Sequence, residues 1–237
     1  MSGTFFGLGV GPGDPELLTL KAHRLLQRVD VVCFITNKDG YSLAADIARE
    51  SLPTTRRQRH LPIEIAMCRD RTLIEQAYDQ AAAQIGEALD HGHDVAFLCE
   101  GDPLFYGSFA YLLARLAPDY PCTSVPGISS LQAAGSALTQ PLTTQGDRLA
   151  VISGLEDERD LLDALERFET VFIMKGGRRR HHIAAVIERA GRAHECAYLE
   201  HISTPAETRL RTLSRLPDGP GPYFSVFVVS RHHRSTP

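Results

Sequence analysis

The chain has no C-x-x-C pair and no regular cysteine spacing. Its five cysteines, Cys33, Cys68, Cys99, Cys122 and Cys196, form an odd, scattered set, so neither a disulfide framework nor a zinc knuckle can be read from them. Cys33 and Cys99 fall inside apolar runs and read as core thiols. Basic blocks are missing from both ends and the net charge is −4 over 237 residues, which argues against nucleic acid as a partner. No apolar stretch reaches the length of a membrane span, and the first residues hold no basic segment followed by a long apolar one. A soluble protein of the reducing cytoplasm, without a membrane partner, is the expectation. The ten histidines show no ligand spacing. His91 and His93 flank a glycine, His181 and His182 adjoin three arginines, and His232 and His233 lie near the end; none pairs with Cys or carboxylate as a metal site requires. No metal is expected, and no repeat of solenoid period is present.

Two glycine fingerprints are also absent. G-x-G-x-x-G started at Gly7 needs glycine where Pro12 stands, and started at Gly9 it needs glycine where Asp14 stands. A P-loop needs Gly-Lys-Ser/Thr, and the nearest lysine, Lys21, lies well beyond the turn. What stands in their place is Gly-Asp-Pro, twice: Gly13-Asp14-Pro15 after a glycine-dense run, and Gly101-Asp102-Pro103 after Ala96–Glu100. Each follows an apolar strand and is expected to open a helix. Strand carboxyl ends are where α/β domains bind ligands, so the two turns should lie together and frame one site. Asp is a strong helix cap and Pro suits the first helical position, so each helix start is closed by a negative charge. A pyrophosphate wants that end free of carboxylate. The expected ligand is neutral or cationic; a tight turn with no ligand is the plain alternative.

The first half alternates strand and helix: strands at 4–9, 31–35, 94–98 and 123–125, helices at 15–27, 42–51, 71–89 and 104–116. This order predicts a mostly parallel α/β sheet with right-handed crossovers. After Pro126 the texture changes. A small-residue helix at 129–138 precedes strands at 148–153, 170–174, 195–199, 209–212 and 223–229, with helices at 160–168 and 183–190. The late strands, joined by short turns, predict antiparallel pairing. Two domains follow, 1–125 and a mixed α+β domain 126–237. Arg56, Arg57 and Arg59 read as an exposed loop.

A strand followed by Gly-x-Gly-x-Gly-Asp-Pro and Leu-Thr-Leu-Lys-Ala, then Glu-Gly-Asp-Pro-x-x-Tyr-Gly, then Val-Pro-Gly-x-Ser-Ser, resembles the tetrapyrrole (corrin/porphyrin) methylases over Phe5 to Val229. The stretches 5–13, 17–22, 95–111, 125–134, 171–177 and 222–229 are most similar to the branch that methylates C20 of precorrin-2 in cobalamin (vitamin B12) biosynthesis. The resemblance implies a two-domain fold with S-adenosylmethionine in the cleft between the domains and S-adenosylhomocysteine as product. It also implies a homodimer and a small-molecule tetrapyrrole acceptor. By position, Gly9, Pro12 and Gly13 would face the cofactor, with Gly101, Asp102 and Phe105 from the second turn. Ser129 and Ser130 would supply hydroxyl or N–H groups, Met174 an apolar wall, and 200–204 with Ile202 the closure on adenine or ribose. Many relatives carry Asn-Gly in that last region, where this chain has His201-Ile202; main-chain contacts would survive the change. Gly127 and Ser129 also have a simpler reading, a Pro-Gly turn followed by a helix cap.

The implied donor is a sulfonium, a cation, which agrees with the acidic turns. Methyl transfer asks the protein mainly for in-line alignment and exclusion of water. After methylation of a bridging carbon one proton must leave, and Asp102, Glu100 and Tyr106 are the candidate polar groups, Asp102 first. The acceptor's carboxylates would meet Lys21, Lys175 and Arg178, with Tyr223 against the ring; Arg24, Lys38, Arg179 and Arg180 are further cations. Competing readings are another tetrapyrrole methylase acting at a different ring position, a relative acting on protein or RNA, an NAD(P)- or flavin-dependent oxidoreductase, and a binding protein without catalysis.

Overall fold

The computed structural model describes residues 1–55, 57–65 and 71–232; Arg56, Cys68 and His233 lie outside them. By internal contacts the chain divides into Met1–Ser129 and Ser130–Pro237.

In the first unit the apolar runs are strands β1 (Phe5–Gly11), β2 (Val31–Thr36), β3 (Arg59–Glu64), β4 (Val95–Glu100) and β5 (Cys122–Val125). They form one sheet in the order β3-β2-β4-β1-β5, with every pair parallel. Helices α1 (Leu20–Leu26), α2 (Leu43–Ala48), α3 (Arg71–Asp90) and α4 (Phe109–Leu116) connect them. Side chains alternate across a strand, and β4 shows the result. Val95, Phe97 and Cys99 join a core with Tyr78, Ile85 and Leu89 of α3 and Phe109 and Leu112 of α4. Ala96 and Leu98 join the opposite core with Ala22 and Leu26 of α1 and Ile47 and Ala48 of α2. Both faces are covered, so these strands read as unbroken apolar runs rather than alternating ones. Each large side chain buried in this way contributes about 1.5–3 kcal/mol.

Two expectations change here. Residues 57–59 are not simply a loop, because Arg59 opens β3. That strand carries Pro62 and exposed charges, which hide it in a sequence, and it tolerates them because among the described residues it is the edge strand, paired with β2 alone. The helices after the Gly-Asp-Pro turns also start later than expected. Pro15–Leu17 is a single 3-10 turn, and α1 starts anew at Leu20, where the Thr19 hydroxyl accepts from Ala22 N at 3.2 Å. The stretch after Pro103 stays irregular until Phe109, because Tyr106 takes a left-handed φ of 56°, which no continuing helix can accommodate.

The second unit begins with α5 (Ser130–Leu138) and holds strands β6 (Leu149–Ser153), β7 (Thr170–Met174), β8 (Cys196–Glu200), β9 (Thr208–Leu210) and β10 (Ser225–Ser230). Their order is β6-β7-β10-β8-β9. β6 and β7 are parallel, while β10 runs antiparallel to β7 and β8, and β9 antiparallel to β8. Helices α6 (Glu158–Arg167) and α7 (Arg180–Arg189) pack on this sheet through Leu161, Leu165, Ile183, Val186 and Ile187. The fold is thus two sheets, one parallel α/β and one mixed. Among the described residues no helix is long and apolar enough to cross a membrane.

Candidate functional site

The two Gly-Asp-Pro turns meet. Gly101 N–H donates to Gly11 O at 2.8 Å, and Gly11 N–H donates to Gly101 O at 3.4 Å. A bulge at the end of β1 makes this possible, since Gly9 pairs with Cys99 but Gly11 with Glu100. Gly11 and Gly101 both take positive φ, 87° and 69°, a conformation open to glycine at little cost. A third strand end joins them, the Pro126-Gly127 turn after β5. A Cβ on Gly127 would lie 2.1 Å from Gly101 O and 2.7 Å from Gly9 Cα. A Cβ on Gly9 would lie 2.5 Å from Gly127 N. Three turns therefore pack main chain on main chain at the carboxyl edge of the sheet. The sequence shows Gly127 only as part of a turn; its packing depends on a partner more than a hundred residues away.

Both aspartates are engaged. Asp14 Oδ1 accepts from Glu16 N at 2.9 Å, holding the 3-10 turn. Asp102 Oδ1 accepts from Leu104 N at 2.9 Å, and its Oδ2 accepts from Gly127 N at 3.1 Å. Asp102 is thus no helix cap, as its motif suggested, but a clasp between the second and third turns. The N–H groups of Glu16, Leu104 and Gly127 are spent on these carboxylates and those of Gly11 and Gly101 on each other's carbonyls, which leaves them unavailable to a pyrophosphate. Around this edge lie half-buried Pro12, Gly13 and Phe105, buried Ser129 just ahead of α5, and exposed Glu100 at the end of β4. Tyr106 is exposed, edge-on to Phe105 with ring centroids 5.3 Å apart. Lys21 is exposed on the first turn of α1. Ser130 is the first residue of α5.

In the second unit the expected residues also gather at one sheet edge. The registers Ser153–Met174, Met174–Val226 and Glu200–Ser225 align the ends of β6, β7 and β8 with the start of β10. Met174 is nearly buried there, and Ile202, just past β8, is 6% exposed. Lys175 and His201 leave β7 and β8 in left-handed conformations, φ 61° and 49°. Their N–H groups bracket the start of β10, Lys175 donating to Ser225 O at 3.2 Å and His201 to Phe224 O at 2.9 Å. Lys175 Nζ lies 5.7 Å from the Tyr223 ring centre, in cation–π range.

The three arginines after Gly177 do not form one solvated cluster. Arg178 is exposed. Arg179 donates to Gly154 O and Glu156 O at 3.2 and 3.1 Å. Arg180, 4% exposed, is paired with Glu200 at 2.9 Å. Of the three, Arg178 is the one presented to solvent. Glu200 also accepts from Tyr198 at 2.7 Å; burial first and that carboxylate second push the phenol up to about 12, so it stays a donor. Burial likewise raises the thiols of Cys33, Cys99 and Cys196, which rest as inert core groups. No cluster of three His, Cys, Asp or Glu among the described residues is placed to hold a metal.

Comparison with known proteins gives this geometry a context. The family model for Tetrapyrrole (Corrin/Porphyrin) Methylases matches residues 4–217. Cobalamin biosynthesis protein CobIJ of Mycobacterium tuberculosis is 33% identical over 233 residues, which cover 96% of this chain and 46% of that protein; this chain spans about half its length. The precorrin-2 C(20)-methyltransferase of Sinorhizobium sp. is 32% identical over 235 residues, 96% of this chain and 95% of the relative. The crystal structure of uroporphyrin-III C-methyl transferase from Thermus thermophilus, complexed with S-adenyl homocysteine, matches with a TM-score of 0.67 at 26% identity, over 97% of this chain and 98% of that one. A family match over most of the length, on a sheet whose three glycine turns pack together at its carboxyl edge, means that this chain belongs to the tetrapyrrole (corrin/porphyrin) methylases.

Proposed function

We propose that this chain is an S-adenosylmethionine-dependent C-methyltransferase of cobalamin biosynthesis that methylates C20 of precorrin-2, or of its cobalt form, to give precorrin-3A. The observation that supports it most is the close packing of the three glycine turns at the carboxyl edge of the first sheet, where a Cβ on Gly9 or Gly127 would strike the main chain of a neighbouring turn. A ligand on these turns would lie beside two carboxylates, Asp14 and Asp102, which already hold N–H groups of the turns. Such a surface suits a sulfonium and suits a diphosphate poorly. The C20 position is supported by the relative at 32% identity over nearly its whole length.

When bound, S-adenosylmethionine supplies an electrophilic methyl group for in-line transfer to carbon. The chain's share is alignment and dryness. Pro12, Gly13 and Gly101 hold the cofactor by main chain; Phe105, Met174 and Ile202 are its apolar contacts; Ser129 and Ser130 contribute hydroxyl or N–H groups. Lys21, Lys175 and Arg178 receive the acceptor's carboxylates, and Tyr223 lies against its ring. In this reading Asp102, which accepts a hydrogen bond on each carboxylate oxygen, holds the turns in place, and Glu100, at the end of β4, takes the proton that leaves the methylated carbon. Tyr106 is a hydrogen-bond partner for the acceptor.

The test offers precorrin-2 and uroporphyrinogen III separately, with labelled S-adenosylmethionine, and weighs the products by mass spectrometry. One methyl added to precorrin-2 and none to uroporphyrinogen III is the expected result. Methylation of uroporphyrinogen III instead moves the reading to another ring position, and no transfer to either overturns it.

A further inference from the structure

The segment 217–222 is tied down more firmly than a surface connection requires. Arg180, buried at the start of α7, uses all three guanidinium nitrogens on it and on one carboxylate. Nε donates to Gly219 O, Nη2 to Asp218 O and Nη1 to Glu200 Oε1, each at 2.9 Å. Gly221 N–H donates to Gly177 O at 2.8 Å. The glycines let the segment lie flat on this group. A Cβ on Gly221 would sit 2.4 Å from Tyr198 Oη and 3.0 Å from both Arg180 Nη1 and Glu200 Oε1, and one on Gly177 would sit 1.9 Å from Pro222 O.

Stability alone does not call for this arrangement. A buried ion pair costs desolvation, and apolar replacements of similar volume are often as stable or more so. What the arginine fork adds is direction, three donors aimed at three acceptors. Directly after the clamped segment come Tyr223 and Phe224, each 41% exposed and edge-to-face at 5.2 Å. The Phe224 carbonyl accepts from His201 N–H and the next carbonyl, that of Ser225, from Lys175 N–H, and the Lys175 ammonium stands over the Tyr223 ring. Two exposed aromatic rings and a cation on a fixed main chain form a preorganised face. Its chemistry matches a flat conjugated molecule with carboxylates at its rim.

We propose that Arg180 is a positioning residue for the acceptor. Together with Glu200 it fixes residues 217–222 so that Tyr223, Phe224 and Lys175 meet the macrocycle already in place. This rests on the function proposed above and adds to it the residue that sets the acceptor's seat.

The test uses R180K, which keeps the charge but loses the fork, and G221A, which keeps every charge but forces the segment off the clamp. Acceptor KM and kcat, the S-adenosylhomocysteine Kd by calorimetry, and amide hydrogen exchange over 217–224 are measured in each. Both variants should raise acceptor KM by about tenfold, with kcat at saturation and cofactor Kd within about twofold of wild type. The Gly221 amide should exchange slowly in wild type and fast in the variants. Unchanged KM with faster exchange overturns the proposal. So does a parallel loss of kcat, cofactor affinity and Tm, which would mark a merely structural role. If R180K does not fold, G221A decides; if neither folds, a fast-exchanging Gly221 amide in wild type overturns the clamp and a slow one upholds it. Wild type that methylates no tetrapyrrole overturns the functional reading and the acceptor role with it, while slow Gly221 exchange would still stand as evidence of the clamp alone.

Discussion

Asp102 shows how a residue can be conspicuous in a sequence for one reason and sit in the structure for another. Its motif suggests a helix cap beside a cation. Its geometry is a clasp, with one oxygen on Leu104 N–H and the other on Gly127 N–H. D102A should cost about 1–3 kcal/mol through unsatisfied donors and weaken S-adenosylhomocysteine binding, by denaturant melts and calorimetry. D102N keeps one acceptor oxygen and should lose less. Neither should remove a limb of the pH–rate profile, whereas E100Q should, because there the proton acceptor itself is gone. Loss of the limb in D102N would return the base to Asp102. Gly127 gives a harder case. A methyl group there would stand 2.1 Å from Gly101 O, against main chain that cannot swing aside. G127A should cost more than the ~1–3 kcal/mol of ordinary overpacking and abolish cofactor binding. The glycines and aspartates are legible as motifs, and so is the meeting of the first two turns, but the clasp from Asp102 to Gly127 is not, since those residues are joined only by folding.

At the scale of elements, the buried strands were legible because apolar runs of four to eight residues bounded by turn residues have few other uses. β3 was not, because an edge strand may carry Arg59, Pro62 and Glu64 without loss. Helix starts failed where a single residue decides: Tyr106 with its left-handed backbone, or Thr19 whose hydroxyl accepts from Ala22 N. The loop and strand ends around β6 and β7 carry a pH dependence. Asp147 accepts from His232 at 2.6 Å and from the Thr144 hydroxyl and N–H, and these bonds hold its carboxyl down from 3.8 to about 2. Glu169 accepts from the Arg148 side chain and N–H, and is held down from 4.5 to about 2. A lowered folded-state value means that the unfolded chain binds the proton more readily. This stabilisation is therefore complete above about pH 4.5 and lost as pH falls toward 2. Chemical denaturation at stepped pH should show stability declining through that window, and E169Q should flatten the decline. An equally steep decline in E169Q would assign the acid sensitivity to other groups.

For the whole molecule, the order of motifs carried the family, and the family carried the fold class of a parallel α/β sheet and a mixed sheet. The pairing order of the second sheet was out of reach, because antiparallel neighbours such as β7 and β10 stand some fifty residues apart in sequence and leave no local mark. The Arg180–Glu200–Tyr198 group was equally hidden. Three adjacent arginines look alike on paper, and only the fold separates the buried one from the exposed Arg178. The most direct measurement for the account is a crystal structure of the protein grown with S-adenosylhomocysteine. The predicted result places the ligand's sulfur against the main chain of the Gly9, Gly101 and Gly127 turns. A ligand seated away from all three turns would contradict it.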